Sequence, residues 1–436
     1  MIWDREAECQ PPRDRARTQV ARLQETLAWT RARVPFYRDR LGDRRIKSLE
    51  DVTCLPFTTK RDLRDLYPFG LFAVPRSEAA RLHASSGTRG KPTLVGYTAG
   101  DLEIWREVMA RALTAAGARP GDLLQIAFGY GLFTGGLGFH QGAERIGLGV
   151  LPASSGNTAR QCLLLRDLRP AGICGTPSFV LHIAETLTEQ GSTPGELGLR
   201  YGMFGAEPWT EGVRRALEAG LGCPAYDVYG LSEIVGPGVS AECEARDGLH
   251  IADDHFLPEV VDPADGAPLE PGVQGELVLT TLTKRGMPLV RYRTGDITRL
   301  MVEPCRCGRT STRMARLVGR VDDMLVIKGV NVYPSEVEGA LLDLEELVPQ
   351  YQLIIDRRPT LPRIEVQVEP APAFVERWGG FDPAGPAVDA LRERVAGRLR
   401  AALGLAVDVT LVPARSLPRS EGKAVRVVER TEGAGR

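Results

Sequence analysis

This sequence contains few lysines and few aromatic residues, and its positive and negative charges nearly balance. Its 436 residues hold 55 Lys and Arg against 56 Asp and Glu, so the formal net charge is −1, and no long block of like charge occurs. Such a chain lacks the electrostatic footprint of proteins that bind nucleic acid or anionic membranes. We therefore expect neither nucleic acid nor a membrane as a partner. Only six of the cationic side chains are lysines, so each lysine is a candidate for specific chemistry.

Cysteine and long apolar runs are also scarce. Eight Cys without a dense, regular framework do not resemble a disulfide scaffold, which favours a reducing compartment. The longest stretch without a charged residue, 123–143, contains six glycines together with His140 and Gln141 and is a poor membrane span. The first residues are charged and do not resemble a signal peptide. We expect a cytoplasmic protein.

The pattern of apolar residues changes along the chain, which indicates more than one domain. At about 150 residues per domain the length corresponds to two or three. Between 121 and 224, short apolar runs alternate with helical patterns, as in βαβ units. Ahead of this region, one helix is predicted with Asp101 as its N-cap. Strands and turns follow from about Gly238, and 324–412 has a compact βαββαβ pattern. The sequence predicts an α/β fold: a large N-terminal domain with parallel α/β sheets and a β-rich subdomain, and a small C-terminal α+β domain.

Residues 85–92, Ser-Ser-Gly-Thr-Arg-Gly-Lys-Pro, form the most informative motif. Small residues let backbone N–H groups approach an oxyanion, and the hydroxyls and Lys91 add donors and charge that suit phosphate. The segment is not a Walker A motif, because Ser85 stands in place of its first glycine and Pro92 in place of its Ser or Thr. A plain surface turn is the alternative interpretation.

A glycine-rich segment follows the apolar run that starts at Leu123. Gly129, Gly131 and Gly135 have the spacing GxGxxxG, which differs from the dinucleotide fingerprint GxGxxG, and no convincing ribose-binding acid follows. The aromatic residues between these glycines suit the wall of a small-molecule pocket. Tight packing of a buried turn is the alternative.

Three further segments end in a residue suited to ATP chemistry. Glu233 follows a strand-like run and is a suitable ligand for the magnesium that ATP carries. Asp296 also follows a strand and suits the ribose hydroxyls, although an ordinary turn explains it equally well. Lys423 lies in a turn-rich loop, where a solvated surface lysine is the default interpretation.

Three cysteines and one histidine form a candidate metal site. Cys243 and His250 precede Cys305 and Cys307 by about sixty residues, and together they give the Cys₃His set of a structural zinc site. Four unrelated residues in a loop-rich region are the alternative, because the spacing of the first pair is unusual.

Six motifs resemble those of adenylate-forming enzymes in their order along the chain: 85–91, 205–209, 229–233, 291–296, 319–323 and 418–423. Residues 128–138 and 328–334 resemble phenylacetate-CoA ligases more closely, and the resemblance extends from about Thr58 to Lys423. It implies an N-terminal adenylation core, residues 1–321, and a mobile C-terminal lid domain, residues 322–436, with a hinge at Asp322. Some similar proteins carry a zinc site of the kind described above.

The resemblance implies a two-step reaction with ATP, Mg²⁺ and CoA. The carboxylate of an aryl or arylacetic acid attacks the α-phosphate to give an acyl-adenylate, and a thiol then displaces AMP. Lys423 would bridge carboxylate and phosphate ester oxygen as a catalytic residue, and Glu233 would hold magnesium. The residues implied to bind ATP are Ser85, Ser86, Gly87, Thr88, Gly90, Lys91, Ala206, Glu207, Pro208, Asp227, Tyr229, Gly230, Ser232, Asp296 and Arg320. The residues implied to bind the acid are Tyr130, Phe133, Gly135, His140, Gln141 and Gly205.

Two departures from the family pattern leave the substrate open. Arg89 stands where Thr is common, and Gln141 stands where phenylacetate-CoA ligases are expected to have Tyr. Because a buried amide needs a hydrogen-bonding partner, Gln141 favours a hydroxy- or aminobenzoate.

Other functions remain as alternatives. The thiol acceptor is either CoA or the phosphopantetheine of an acyl or aryl carrier protein. A non-catalytic sensor is disfavoured because Glu233, Asp296 and Lys423 occur together, and an NAD-dependent dehydrogenase is disfavoured by the glycine spacing. The family leads us to expect a homodimer.

Overall fold

The computed structural model describes residues 1–84, 93–327, 330–356 and 363–430. Twelve α-helices occur in these residues: α1 (Arg5–Glu8), α2 (Pro12–Arg33), α3 (Pro35–Leu41), α4 (Lys60–Asp65), α5 (Ala99–Ala115), α6 (Gly135–Ile146), α7 (Thr158–Leu168), α8 (Pro177–Glu189), α9 (Glu211–Leu221), α10 (Pro334–Leu342), α11 (Pro372–Arg377) and α12 (Pro386–Leu403). Among the described residues, no helix is both long and apolar enough to cross a membrane.

The same residues form 21 β-strands. They are β1 (Arg81–Ala84), β2 (Leu94–Tyr97), β3 (Leu123–Ile126), β4 (Gly149–Leu151), β5 (Gly172–Gly175), β6 (Tyr201–Gly205), β7 (Ala225–Leu231), β8 (Val235–Glu242), β9 (Leu249–Ile251), β10 (Phe256–Val261), β11 (Gly275–Thr281), β12 (Tyr292–Thr298), β13 (Leu300–Met301), β14 (Arg313–Met314), β15 (Gly319–Arg320), β16 (Leu325–Ile327), β17 (Val330–Val332), β18 (Leu347–Asp356), β19 (Arg363–Pro370), β20 (Asp408–Leu411) and β21 (Val427–Arg430).

The chain folds into two compact units. The first comprises Met1–Thr176, Gly195–Ala206 and Cys223–Arg316, and the second comprises Pro177–Pro194, Glu207–Gly222 and Leu317–Arg436. The C-terminal segment of the second unit therefore starts at Leu317, a few residues before the predicted boundary at 322. The unit also includes α8 and α9 from earlier in the chain. The division into 1–321 and 322–436, with a hinge at Asp322, stays a prediction.

A nine-stranded mixed sheet forms the centre of the first unit, in the order β13-β14-β9-β8-β7-β6-β5-β3-β4. Strands β4, β3, β5, β6 and β7 are parallel, and β8, β9, β14 and β13 continue the sheet antiparallel. Every residue of β5 and β6 is buried, as expected for parallel strands covered on both faces. Strands β10, β11 and β12 form an antiparallel sheet. The predicted α/β class with parallel sheets and a β-rich part is confirmed.

Helix α5 shows how local side chains set an element boundary. Thr98 is its N-cap, because the Thr98 hydroxyl accepts from the Asp101 backbone N–H at 3.1 Å and Asp101 Oδ2 accepts from the Thr98 N–H at 2.8 Å. The prediction of Asp101 as the N-cap is wrong by three residues, since this reciprocal pair places the acid at the third helical position. The buried face of the helix includes Trp105.

The second unit has its own core around a four-stranded sheet, β20-β19-β18-β21. Strands β18 and β19 are antiparallel, and each has an outer partner that runs parallel to it. Helix α12 buries Val388, Leu391, Val395 and Leu399, whose spacing of three or four residues forms one apolar stripe. Helix α9 belongs to the same unit, where the Thr210 N–H ahead of it donates to Glu338 of α10 at 3.1 Å.

Candidate active site

Strands β7 and β12 bring two of the predicted ATP-binding residues together. The Tyr229 hydroxyl donates to Asp296 Oδ2 at 2.6 Å, and both side chains are buried. A short bond from a buried hydroxyl fixes the orientation of a carboxylate. This bond therefore fixes the orientation of the Asp296 carboxylate, and its assignment to the ribose hydroxyls stays a prediction.

Asp227 and Gly230 lie on the same strand, β7. The Asp227 N–H donates to Glu242 Oε2 at 2.8 Å, and its own Oδ2 accepts from Arg316 Nε at 3.3 Å. A Cβ on Gly230 would lie 2.6 Å from the carbonyl oxygen of Val235, so only glycine fits at that position. This close packing thus fixes the backbone of β7 next to Tyr229.

Glu233 follows the end of β7 and offers a nearly buried carboxylate, with 6% of the residue exposed. Within the described part of the chain, this carboxylate accepts no hydrogen bond. The preceding residue, Ser232, shares a hydrogen bond with the Thr134 hydroxyl at 3.2 Å. A carboxylate is a ligand type that magnesium prefers, so the residue suits the role predicted for it, and that role stays a prediction.

Lys284 is a buried lysine that the sequence motifs did not assign to the site. Its ammonium donates to the carbonyl oxygens of Glu233 at 2.9 Å and Ile234 at 3.0 Å. Burial lowers the pKa of Lys284 to about 8, against the opposing charges of Asp101 and Glu233. The only sequence signal was the scarcity of lysine, which made each one a candidate.

The loop that carries Lys423 belongs to the second unit and is held on both sides of the lysine. The Ser178 hydroxyl donates to the Gly422 carbonyl oxygen at 3.0 Å, and the Ala424 N–H donates to Glu207 Oε2 at 2.8 Å. The other oxygen of Glu207 accepts from the Ser178 N–H at 2.8 Å. Lys423 itself is exposed, so the loop presents it to solvent from a fixed backbone.

A second anchor of this loop lies a few residues earlier. The Glu369 carboxylate accepts from the backbone N–H groups of Arg415 and Leu417, both at 2.9 Å. It also accepts two bonds from the Arg419 guanidinium, at 2.8 and 2.7 Å. A buried carboxylate with four donors is a rigid attachment point for the loop.

Three other predicted ATP-binding residues lie between these features in sequence. Ala206 follows β6 with φ of +71°, a strained conformation for a residue with a Cβ. Pro208, next to Glu207, is half-buried. Arg320 Nε donates to Asp322 Oδ1 at 2.8 Å, and the Asp322 side chain is mostly exposed.

The residues predicted to bind the acid lie around α6. The Tyr130 hydroxyl and His140 Nδ1 are 3.2 Å apart, and His140 Nε2 lies 3.2 Å from Glu144. A Cβ on Gly135 would lie 2.5 Å from the ring of Phe133, which is half-buried.

Gly205 and Gln141 are the other predicted acid-binding residues. A Cβ on Gly205 would lie 2.0 Å from the carbonyl oxygen of Val228, so glycine is required where β6 meets β7. Gln141 is buried, and its Oε1 accepts from Arg81 at 3.3 Å. Its Nε2 is enclosed and finds no acceptor among the residues described here.

The predicted zinc ligands converge. The candidate ligand atoms of Cys243, His250, Cys305 and Cys307 all lie within 4.8 Å of one another. The Cys243 and Cys305 sulfurs are 3.7 Å apart, and Cys307 Sγ is 3.4 Å from His250 Nε2. A tetrahedral zinc site with Zn–S bonds of about 2.3 Å places its sulfurs about 3.8 Å apart.

The surroundings of this cluster also suit a metal. His250 Nδ1 lies 3.1 Å from the Ser311 hydroxyl, a contact that orients the ring with Nε2 toward the thiols. The hydrogen bond between Cys243 and Cys307 lowers the pKa of the Cys307 thiol and raises that of Cys243, so one thiolate of this pair is favoured. The four residues therefore fit the predicted structural zinc.

The phosphate-binding motif lies outside the described residues. It comprises Ser85, Ser86, Gly87, Thr88, Gly90 and Lys91, together with the family-like residues Lys328 and Gly329. Their assigned roles stay predictions.

Matches with known proteins identify the family of this chain. Residues 73–282 match the AMP-binding enzyme family, and residues 329–431 match the AMP-binding enzyme C-terminal domain. A phenylacetate-coenzyme A ligase of Thermus thermophilus is 51% identical over 98% of this chain and 99% of its own. The protein of the same name from Escherichia coli is 47% identical over 94% of both chains.

Solved structures give the same result at the level of the fold. A crystal structure of 2-hydroxyisobutyryl-CoA ligase in complex with 2-HIB-AMP has a TM-score of 0.92 to this protein at 31% identity, covering 99% of this chain and 93% of that one. Fold and matches together define an AMP-binding, adenylate-forming enzyme. Within that class, the chain belongs to the phenylacetate-CoA ligase family, which confirms the predicted family and enzyme class.

Proposed function

We propose that the protein activates an aryl or arylacetic acid with ATP and transfers the acyl group to CoA. The observation that carries this proposal is the similarity, at 46 to 51% identity over 94 to 98% of the chain, to four proteins named phenylacetate-coenzyme A ligase. Phenylacetate is accordingly the first acid to test.

In the first step, a carboxylate oxygen of the acid attacks the α-phosphorus of ATP and pyrophosphate leaves. Lys423 neutralises charge between the carboxylate and the phosphate, from a loop whose backbone Ser178 and Glu207 hold in place. Asp296 and Arg320 bind the ribose, and residues 85–91 bind the β- and γ-phosphates. Positioning and charge neutralisation supply most of the rate enhancement in reactions at phosphorus.

Glu233 is the protein ligand proposed for magnesium, which would draw charge from the phosphates. In the second step, the thiol sulfur of CoA attacks the acyl carbonyl carbon and loses its proton. The bond from that carbon to the adenylate oxygen breaks, and AMP leaves with both electrons. Lys423 has no role in this step, because the phosphate–carboxylate bridge no longer needs to form.

The direct test incubates the enzyme with phenylacetate, Mg·ATP and CoA and separates the products by liquid chromatography. We expect equal amounts of AMP, pyrophosphate and phenylacetyl-CoA. A phosphopantetheinylated carrier protein in place of CoA tests the other acceptor. Formation of ADP, or of no thioester with any acid and either acceptor, would contradict the proposal.

A ring-substituted benzoate is the second candidate acid, because Gln141 Nε2 has no acceptor among the described residues. An amide N–H without an acceptor gains a hydrogen bond if a hydroxyl or carbonyl oxygen of the substrate reaches it. The ratio of kcat/KM for hydroxybenzoates to that for phenylacetate decides between the two. A Gln141→Tyr variant should shift this ratio toward phenylacetate if the side chain contacts the ring, and should leave it unchanged otherwise.

We also propose a structural zinc ion at Cys243, His250, Cys305 and Cys307. Zinc would tie the chain after β8 to the loop between β13 and β14. It would stabilise the fold and take no part in the reaction, because four protein ligands leave no position open to substrate.

Metal analysis of the purified protein should find about one zinc per chain, as a closed Cys₃His site binds a single ion. Cys305→Ser should lose most of the zinc and lower the melting temperature by several degrees. Cys223→Ser, which removes a buried thiol outside the cluster, is the matched control and should keep its zinc. Zinc at background level in the parent protein would contradict the site.

The assembly and location complete the proposal. A homodimer in the cytoplasm is expected from the family and the composition, and light scattering of the purified protein measures the first of these.

A further inference from the structure

The turn that carries Glu233 rests on two buried side chains that no step of the proposed reaction uses. Lys284, between β11 and β12, donates to the carbonyl oxygens of Glu233 and Ile234. The Tyr97 hydroxyl, at the end of β2, donates to the carbonyl oxygen of Ser232 at 2.6 Å. Three consecutive carbonyl groups therefore accept from these two side chains.

The two side chains also contact each other. The Lys284 ammonium lies 4.2 Å from the centroid of the Tyr97 ring, within the range of a cation–π interaction. Tyr97 in turn stacks on Trp105, with ring centroids 5.1 Å apart. The side chains of Lys284, Tyr97 and Trp105, two of which hold residues 232–234, thus pack against one another within the first unit.

Asp101 fixes the backbone next to Lys284. Its carboxylate oxygens accept from the N–H groups of Arg285 at 2.6 Å and Gly286 at 2.8 Å, in addition to capping α5. The backbone that follows Lys284 is therefore held by Asp101, and the Lys284 ammonium is held by two carbonyl oxygens.

An enclosed ammonium is costly, and hydrophobic residues of similar size often replace such groups without loss of stability. Packing alone gives no reason for a lysine here, because 3% of the residue is exposed and, among the residues that the structure describes, its ammonium donates hydrogen bonds to the backbone carbonyls of one turn. What the lysine does specifically is fix the backbone of the residue whose carboxylate faces the proposed metal.

We propose that Lys284 and Tyr97 are positioning residues for the metal-binding carboxylate of Glu233. They hold the backbone of residues 232–234 in place before Mg·ATP binds. The carboxylate can then contact the magnesium without loss of conformational entropy in the turn. This inference rests on the proposed role of Glu233 in the reaction. Groups that orient a metal ligand typically contribute tenfold or more to metal affinity.

The test compares the affinity for Mg·ATP with that for metal-free ATP in EDTA, by calorimetry and without any acid substrate. The ratio of the dissociation constant for metal-free ATP to that for Mg·ATP reports how much the metal contributes to binding, independent of turnover. We expect Lys284→Met to weaken Mg·ATP binding about tenfold and Tyr97→Phe about threefold, with metal-free ATP bound as in the parent protein. If Lys284→Met does not fold, Tyr97→Phe alone carries the test.

Two further variants make the outcomes distinct. Tyr37→Phe is the matched control, because the Tyr37 hydroxyl is equally buried and bonds to Thr58 and Val290 instead of the turn. It should leave the ratio unchanged even if it lowers the melting temperature. Glu233→Gln should reduce the ratio at least as much as Lys284→Met.

A ratio that stays at the parent value in Tyr97→Phe and Lys284→Met, while Glu233→Gln reduces it, would overturn the positioning role and leave the proposed function intact. An unchanged ratio in Glu233→Gln would instead remove the metal-binding role on which the inference rests. Equal weakening of both forms of ATP would show a merely structural role and would also overturn the inference.

Discussion

Replacement of Lys423 by alanine is expected to reduce adenylation by about two orders of magnitude or more, the size typical of removing a charge aimed at a transition state. The lysine is exposed, and the bonds that fix its loop run through the backbone of Gly422 and Ala424. Truncation of the side chain therefore removes the charge and leaves the loop in place. The readout is acid-dependent exchange of labelled pyrophosphate into ATP.

Two comparisons make this result specific to the first half-reaction. Lys423→Ala should still convert chemically prepared acyl-adenylate and CoA to the thioester at close to the parent rate. Lys47→Ala, at another exposed lysine, should exchange pyrophosphate normally. Normal exchange by Lys423→Ala would show that the assigned role is wrong.

The second large effect is expected at Glu207, which the family resemblance places beside the adenine. Its two carboxylate oxygens accept from the N–H groups of Ser178 and Ala424, each at 2.8 Å. Glu207→Gln replaces one acceptor by a donor that faces an N–H group. A lost hydrogen bond to a charged group costs about 2 kcal/mol, which corresponds to about a thirtyfold loss of exchange activity.

The kinetic constants separate the two roles of Glu207. If the carboxylate seats the lysine loop, the loss falls mainly on the turnover number, because Lys423 is misplaced after ATP has bound. If it contacts the adenine, the loss falls mainly on KM for ATP. Glu211→Gln is the control. Glu211 is an exposed acid at the start of α9 that pairs with Arg214 of the same helix at 3.1 Å, so its replacement should leave both kinetic constants unchanged.

Much of the fold was accessible from the sequence, because apolar periodicity reports which faces are buried. The βαβ alternation predicted the parallel strands β3 to β7, and the glycines at 205 and 230 lie where a side chain would clash with backbone. The start of α5 was misjudged because the capping box depends on a reciprocal bond that a sequence pattern does not distinguish from a simple cap.

The candidate site was accessible only in part. Residue type and context predicted roles for Glu233, Asp296 and the Cys₃His set, and the structure brings the four residues of the Cys₃His set together. The bonds from Lys284 to residues 233 and 234, and from Ala424 to Glu207, join positions 50 to 217 apart in the chain. Such supports use ordinary residues and backbone groups, so only the folded structure identifies them.

The central claim is that this chain forms an acyl-adenylate. Exchange of labelled pyrophosphate into ATP, without any thiol and with phenylacetate, benzoate, hydroxybenzoates and aminobenzoates in turn, tests it most directly. The account predicts exchange that depends on the acid, on magnesium and on Lys423, with one acid clearly preferred. No exchange with any of these acids, from protein that is folded and binds Mg·ATP, would contradict it.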